Sequence, residues 1–116
     1  RNRIIGVKYR IGERRMEIIK EKNGTAVTMS LQGRLDTATA PQMEAELKKD
    51  MEEVTRLILD MRELEYLSSA GLRVILNAQK MMGKRGGMVV RHVNETIMEV
   101  FELTGFSDIL TIEQES

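Results

Sequence analysis

The stretch Leu57-Ile58-Leu59-Asp60-Met61 constrains the fold more than any other, because it is apolar almost without a break and shows no alternation. A strand wetted on one face places polar residues at every second position, whereas a strand covered on both faces does not. The run is therefore predicted to be a central strand, and the elements around it must supply its cover. Before it, Met43, Leu47, Met51 and Val54 recur at helical spacing among Glu44, Glu46, Lys48, Lys49, Asp50, Glu52 and Glu53, which predicts an amphipathic helix. Thr39-Ala40-Pro41-Gln42 has the form of a capping box, with Thr39 accepting from the Gln42 amide and Pro41 in the first turn. After the run, Leu72, Ile75, Leu76 and Met82 share a second helical face, which Gly83 or Gly86 ends.

The rest follows the same grammar. Met16-Glu17-Ile18-Ile19-Lys20 and Ala26-Val27-Thr28-Met29-Ser30-Leu31 flank the turn signal Lys22-Asn23-Gly24 and read as a hairpin. Met88–Val93 reads as another buried strand. Asn94 caps a third helix carrying Ile97, Val100, Phe101 and Leu103 and closing at Thr104-Gly105, and Ile109–Ile112 reads as a last strand. Two strands followed by alternating helices and strands imply right-handed crossovers. The expected fold class is a single-domain α/β protein with a mixed β-sheet of four to five strands and three to four helices packed against it.

The 116 residues suffice for one hydrophobic core. Lys+Arg and Asp+Glu each number 18, so no global field attracts nucleic acid or an anionic membrane. Residues 1–15 are nevertheless basic, with Arg1, Arg3, Lys8, Arg10, Arg14 and Arg15 against Glu13 alone. Tyr9 is the segment's one aromatic, so it is read as a charge-protected edge strand or extension rather than a nucleic-acid arm, with the domain proper over 16–116. With no cysteine, disulfides and thiolate chemistry are excluded. No apolar run approaches bilayer length, and a cytoplasmic monomer or weak dimer is expected, without a cofactor.

On open α/β sheets, partners bind where strands end and helices begin, which points to Leu67-Ser68-Ser69-Ala70-Gly71-Leu72. Either serine hydroxyl could cap the second helix by accepting from a free amide. The same free amides and the helix dipole stabilise an anion, so a phosphate on such a serine would be tolerated locally. It would also put about two negative charges on a contact face.

Leu57-Ile58-Leu59-Asp60-Met61-Arg62-Glu63-Leu64-Glu65-Tyr66-Leu67-Ser68-Ser69-Ala70-Gly71-Leu72-Arg73 resembles the signature stretch of the STAS domain family, in its single-domain form as a bacterial anti-sigma factor antagonist. Leu31-Gln32-Gly33-Arg34-Leu35-Asp36 and Phe101-Glu102-Leu103-Thr104-Gly105-Phe106 extend the resemblance over about residues 16–114. It implies that a serine at the helix start is phosphorylated by an anti-sigma factor serine kinase with a histidine-kinase-like ATPase fold and dephosphorylated by a metal-dependent serine phosphatase. The unphosphorylated antagonist binds the anti-sigma factor and frees the sigma factor. By position Ser69 is the modified residue, with Ser68 as second choice. Ser68 stands where the family often has an acidic residue, and Ala70 where it has a second serine. Asp36, Thr37, Ser68, Ser69, Ala70, Gly71 and Arg73 would meet the partner; Asp36 is on sequence alone equally an Asx cap.

Two other classes are weighed. Leu67 stands where a hydrolase nucleophile elbow has its first glycine, and His92 is the chain's one histidine, with no paired acid evident. A STAS-like regulatory domain of a larger transporter or sensor, binding a nucleotide, lipid or neighbouring domain, is the alternative within the fold. Asp60, at a strand end, is read as holding loop backbone.

Overall fold

The computed structural model describes residues 2–11, 14–49 and 51–114. Chain order runs β1 (Asn2–Ile11), β2 (Arg14–Asn23), β3 (Ala26–Leu35), α1 (Ala40–Glu46), β4 (Arg56–Asp60), β5 (Leu64–Leu67), α2 (Ser69–Gly83), β6 (Met88–Arg91), α3 (Glu95–Thr104), a 3-10 turn (Phe106–Asp108) and β7 (Ile112–Glu113). All strands join one sheet in the order β1-β2-β3-β4-β6-β7, with β5 also on β3. The sheet is thus seven-stranded, wider than the four to five strands read from hydropathy. The surplus lies in β1, read only as an edge strand or extension, and in the four-residue β5, which pairs with the end of β3 and lacks an apolar run of its own.

The apolar run takes the central place its composition demands. Leu57 and Leu59 are fully buried on the helix-covered face, in register with Val27 and Met29 of β3. Ile58, on the opposite face, is 7% exposed and pairs with Val89 of β6. The period of two along β3 buries Val27, Met29 and Leu31. These residues join Leu72, Ile75, Ala78 and Met82 of α2 and Ile97 and Phe101 of α3 in one core cluster, each large side chain contributing about 1.5–3 kcal/mol by its removal from water. Among the described residues no helix is long and apolar enough to cross a membrane.

Two boundaries depart from the hydrophobic periodicity. The first helix ends at Glu46, although Met51 and Val54 keep its spacing and are buried. The buried Lys20 of β2 donates to the carbonyl oxygens of Glu46 at 2.5 Å and Lys49 at 3.1 Å and pairs with the Glu46 carboxylate at 3.2 Å. A cation so placed satisfies carbonyls that a helix terminus leaves open. The chain then turns, Val54 donating to the Met51 carbonyl, which also accepts from Arg85. At the other end of the chain, Ile109 and Leu110 leave the 3-10 turn by donating to Phe106, so the last strand begins only at Ile112. Leu110 reaches the core from this turn, while Ile109 is 48% exposed.

The sheet's decisive irregularity is in β3. Its first half pairs in parallel with β4 through Ala26–Ser30, and its end pairs in parallel with β5 through Gly33–Leu35, with a register shift between Gly33 and Arg34. Gly33 has φ +100, and a Cβ there would stand 2.6 Å from the Arg15 carbonyl oxygen. Only glycine accommodates both the left-handed backbone and the close approach. The kink gives β5 its own berth on β3, so the ends of β3 and β5 leave the sheet side by side.

Candidate functional site

Leu35 and Leu67 are register partners at those two ends, and the Ser68 amide donates to the Leu35 carbonyl at 3.0 Å. The loop after β3 and the start of α2 are therefore one surface, although 32 positions separate Asp36 from Ser68 in the chain.

At the start of α2 the two serines have different roles. Ser68 is the N-cap: its backbone is extended and its hydroxyl accepts from the Gly71 amide at 3.4 Å. Ser69, the first helical residue, is exposed. Its side chain stands beside the open amides of the first turn, where an anion is favoured. Gly71 is buried beneath them. A Cβ at this position would lie 2.7 Å from Leu67 Cδ1, 2.8 Å from Leu35 Cγ and 2.9 Å from the Leu35 carbonyl oxygen. Glycine at position 71 is thus what lets α2 begin against the end of β3.

The loop after β3 is built around Asp36. Its carboxylate is 2% exposed and accepts from the amides of Ala38 at 2.9 Å and Thr39 at 3.1 Å, an Asx turn. Arg34 Nε lies 3.6 Å from the other carboxylate oxygen, and its guanidinium carbon sits 4.1 Å from the centroid of the Tyr66 ring. The Thr39 hydroxyl does not cap α1. It donates to the Arg34 carbonyl at 2.6 Å and accepts from the Asp36 amide at 2.9 Å, while the Gln42 amide bonds to the Thr39 carbonyl. The capping box fails because the tight turn offers this hydroxyl two nearer partners. Asp36 is consequently a structural member of the site, and the exposed residue of the loop is Thr37.

Between α1 and α2 runs a groove lined by Thr37, Ala40, Pro41, Glu44, Ala45, Lys48, Ala70, Arg73 and Val74. Thr37, Ala70 and Arg73 thus line one groove, which Ser69 does not line but adjoins in the chain as the exposed residue before Ala70; Ser68 is the cap of α2, and Gly71 is buried in its first turn. The groove's α1 wall was not legible as part of a site. Glu44 and Lys48 carry only the signal of any polar helix face.

Asp60 and His92 occupy the ends of β4 and β6. Asp60 accepts from the Arg62 amide at 3.0 Å, holding backbone as its strand-end position suggested. His92 does have a paired acid: its Nδ1 lies 3.0 Å from Asp60 Oδ2. The two are 32 positions apart in the chain, so no local pattern reveals the pair. With His92 in the left-handed region at φ 58, the contact fixes the chain where β6 ends. The depression around it includes Ser30, Gln32, Arg62 and Glu63 and is separate from the groove beside Ser69. Among the described residues no group of three or more His, Asp or Glu is placed to hold a metal ion.

Comparison with known proteins agrees with this architecture. The family model of the STAS domain matches residues 17–116. A Bordetella bronchiseptica protein bearing the name anti-sigma factor antagonist BtrV is 35% identical over 99 residues, covering 84% of this chain and 85% of the relative. The anti-sigma-B factor antagonist of Bacillus subtilis is 27% identical over 97 residues, covering 83% and 89%. Among solved structures, an anti-sigma factor antagonist from Mycobacterium paratuberculosis superposes with a TM-score of 0.76 at 22% identity, covering 84% of each chain. The antagonist SpoIIAA in its unphosphorylated form gives 0.74 at 19% identity, covering 85% of this chain and 88% of its own. With its family model matched over nearly the whole sheet and all three helices, the chain belongs to the STAS domain family.

Proposed function

We propose that this chain is an anti-sigma factor antagonist: a cytoplasmic protein-binding switch that, unphosphorylated, sequesters an anti-sigma factor kinase and so releases a sigma factor for transcription. The observation that carries the reading is the division of labour between the serines. Ser68 is engaged as the helix cap, while the exposed Ser69 is free to be approached at the helix start. The relatives support it, since the proteins matched over most of their own length are named as antagonists. That also favours the antagonist over a regulatory domain of a transporter or sensor.

In this reading Ser69 accepts the phosphoryl group. The contact surface comprises Thr37, Ser68, Ser69, Ala70 and Arg73, with Asp36 and Gly71 setting its shape. Unmodified, the surface presents the Ser69 hydroxyl and the Arg73 guanidinium with no acid between them in the chain, which leaves Ser69 open to close approach by a partner. A phosphate adds about two negative charges there, and their desolvation and repulsion at an interface oppose association. Removal by a metal-dependent serine phosphatase restores binding.

Incubation with a cognate anti-sigma kinase and ATP is expected to add one phosphate, mapped to Ser69 by mass spectrometry, and Ser69→Ala to abolish labelling while retaining the partner. Ser69→Asp is expected to weaken binding by about tenfold or more in calorimetry. Phosphate on Ser68 would overturn the site; an unchanged dissociation constant for Ser69→Asp would overturn the switch.

A further inference from the structure

The groove beside Ser69 carries three charged side chains, Glu44, Lys48 and Arg73. Glu44 and Lys48 face each other across one turn of α1, with Lys48 Nζ 3.8 Å from Glu44 Oε2. Their charges offset one another. Arg73, on the opposite wall, has no ion pair among the described residues. Asp36, the nearest acid of the preceding loop, is buried in its Asx turn and faces Arg34. Among the described residues, the Arg73 guanidinium is therefore the groove's one charged group without an ion pair.

Its place on the helix gives that charge a target. Arg73 follows Ser69 by four residues within α2, and both are exposed. Residues so spaced are neighbours on a helix surface. Helical side chains also lean toward the N-terminus, so a long side chain at position 73 extends back over the turn that begins with Ser69. We infer that Arg73 is the internal partner of a phosphate on Ser69, so that a single modification alters two features of the contact surface at once. The inference rests on Ser69 as the modified residue. Without phosphate, the Arg73 guanidinium is available to an acidic group of the partner. On modification, the Ser69 Oγ–phosphorus bond forms as the bond from the γ-phosphorus of ATP to the bridging oxygen breaks; ADP leaves with that electron pair, and the hydroxyl proton passes to a base of the kinase or to water. The new dianion then draws the guanidinium back onto its own helix, where two N–H groups match two phosphate oxygens. The partner meets a negative charge and loses a positive one.

The test installs phosphoserine at position 69 of the full chain during synthesis, so that it does not depend on a kinase. The second ionisation of the phosphate is followed by phosphorus NMR. An adjacent cation favours the dianion, so Arg73→Gln is expected to raise this pKa by about 0.15–0.4 unit relative to the arginine protein at roughly 0.1 M salt. Arg73→Lys is expected to retain part of the effect, and salt near 1 M to erase most of the difference. The amides of the first turn stay in place in every variant, so a purely structural role for Arg73 would leave the pKa where it is. A change smaller than about 0.1 unit in Arg73→Gln would overturn the inference, as would a larger effect from Lys48→Gln. If Arg73→Gln fails to fold, the salt titration of the unsubstituted phosphoprotein is set against that of a phosphoserine peptide of the same local sequence ending at Leu72: the same salt dependence in both overturns the inference. Absence of kinase labelling at Ser69 counts against the proposed function, whereas an unmoved phosphate pKa counts against Arg73 alone.

Discussion

At the scale of single residues, the site depends on what is missing at position 71. Leu35 and Leu67 close over Gly71 so tightly that an added methyl would meet carbon atoms at 2.7 and 2.8 Å and a carbonyl oxygen at 2.9 Å. Gly71→Ala gains helix propensity, by about 1 kcal/mol, yet forces the start of α2 away from β3. The clash should win, with a net loss of about 1–3 kcal/mol in urea unfolding; unchanged or increased stability would show that the turn gives way freely. The same residue explains why two adjacent serines are not equivalent. With the helix start pinned, one hydroxyl faces the Gly71 amide and the other faces solvent. The resemblance ranks Ser69 before Ser68; that one caps the helix and the other is exposed follows from packing beneath the turn.

Among the elements, α1 shows how a charge can override a hydrophobic period. Lys20 links β2 to the last turn of α1 through two carbonyls and the Glu46 carboxylate, itself 2% exposed. Lys49 adds a second contact to that carboxylate at 3.2 Å from a more exposed position. An uncompensated buried charge costs about 3–5 kcal/mol; because Lys49 stays on the Glu46 carboxylate, Lys20→Ala is expected to lose less, about 2–3 kcal/mol. Lys20→Ala combined with Glu46→Leu should recover much of that loss, since apolar replacement of a whole buried pair is often neutral. A double variant as unstable as the single one, measured by thermal unfolding, would contradict this account. By contrast α3 obeys its local signals: Asn94 accepts from the Ile97 amide at 3.0 Å and Gly105 closes the helix at φ 82. The Asn94 amide also donates to the Leu64 carbonyl at 2.8 Å, tying the cap to β5.

For the whole molecule, the strand order places β4 between β3 and β6, while β1 has a neighbour on one side only. Backbone amides open locally where few buried contacts hold them, and only with global unfolding at the centre of the core. Hydrogen exchange should therefore be slowest for Leu57, Ile58 and Leu59 and fastest along β1. Comparable protection in β1 would mean that its exposed edge is covered, for example by a second copy of the chain. Ser69 and Arg73 stand outside the core cluster, so the proposed phosphate on Ser69 would disturb no core packing.

Local signals in the sequence were enough for the elements whose causes are themselves local. An unbroken apolar run must be covered on both faces, a helix needs its period and its caps, and these identify β4, α2 and α3 and the turn between β5 and α2. They do not encode which residues meet across the sheet. The kink at Gly33, the Lys20–Glu46 link, the Asp60–His92 pair, and the meeting of Leu35 with Leu67 all join positions far apart in the chain, and a side chain's strongest partner there depends on register rather than on its neighbours. Tertiary structure thus decided where α1 ends, that Asp36 shapes the loop from inside, and that Thr37, Ala70 and Arg73 line one groove.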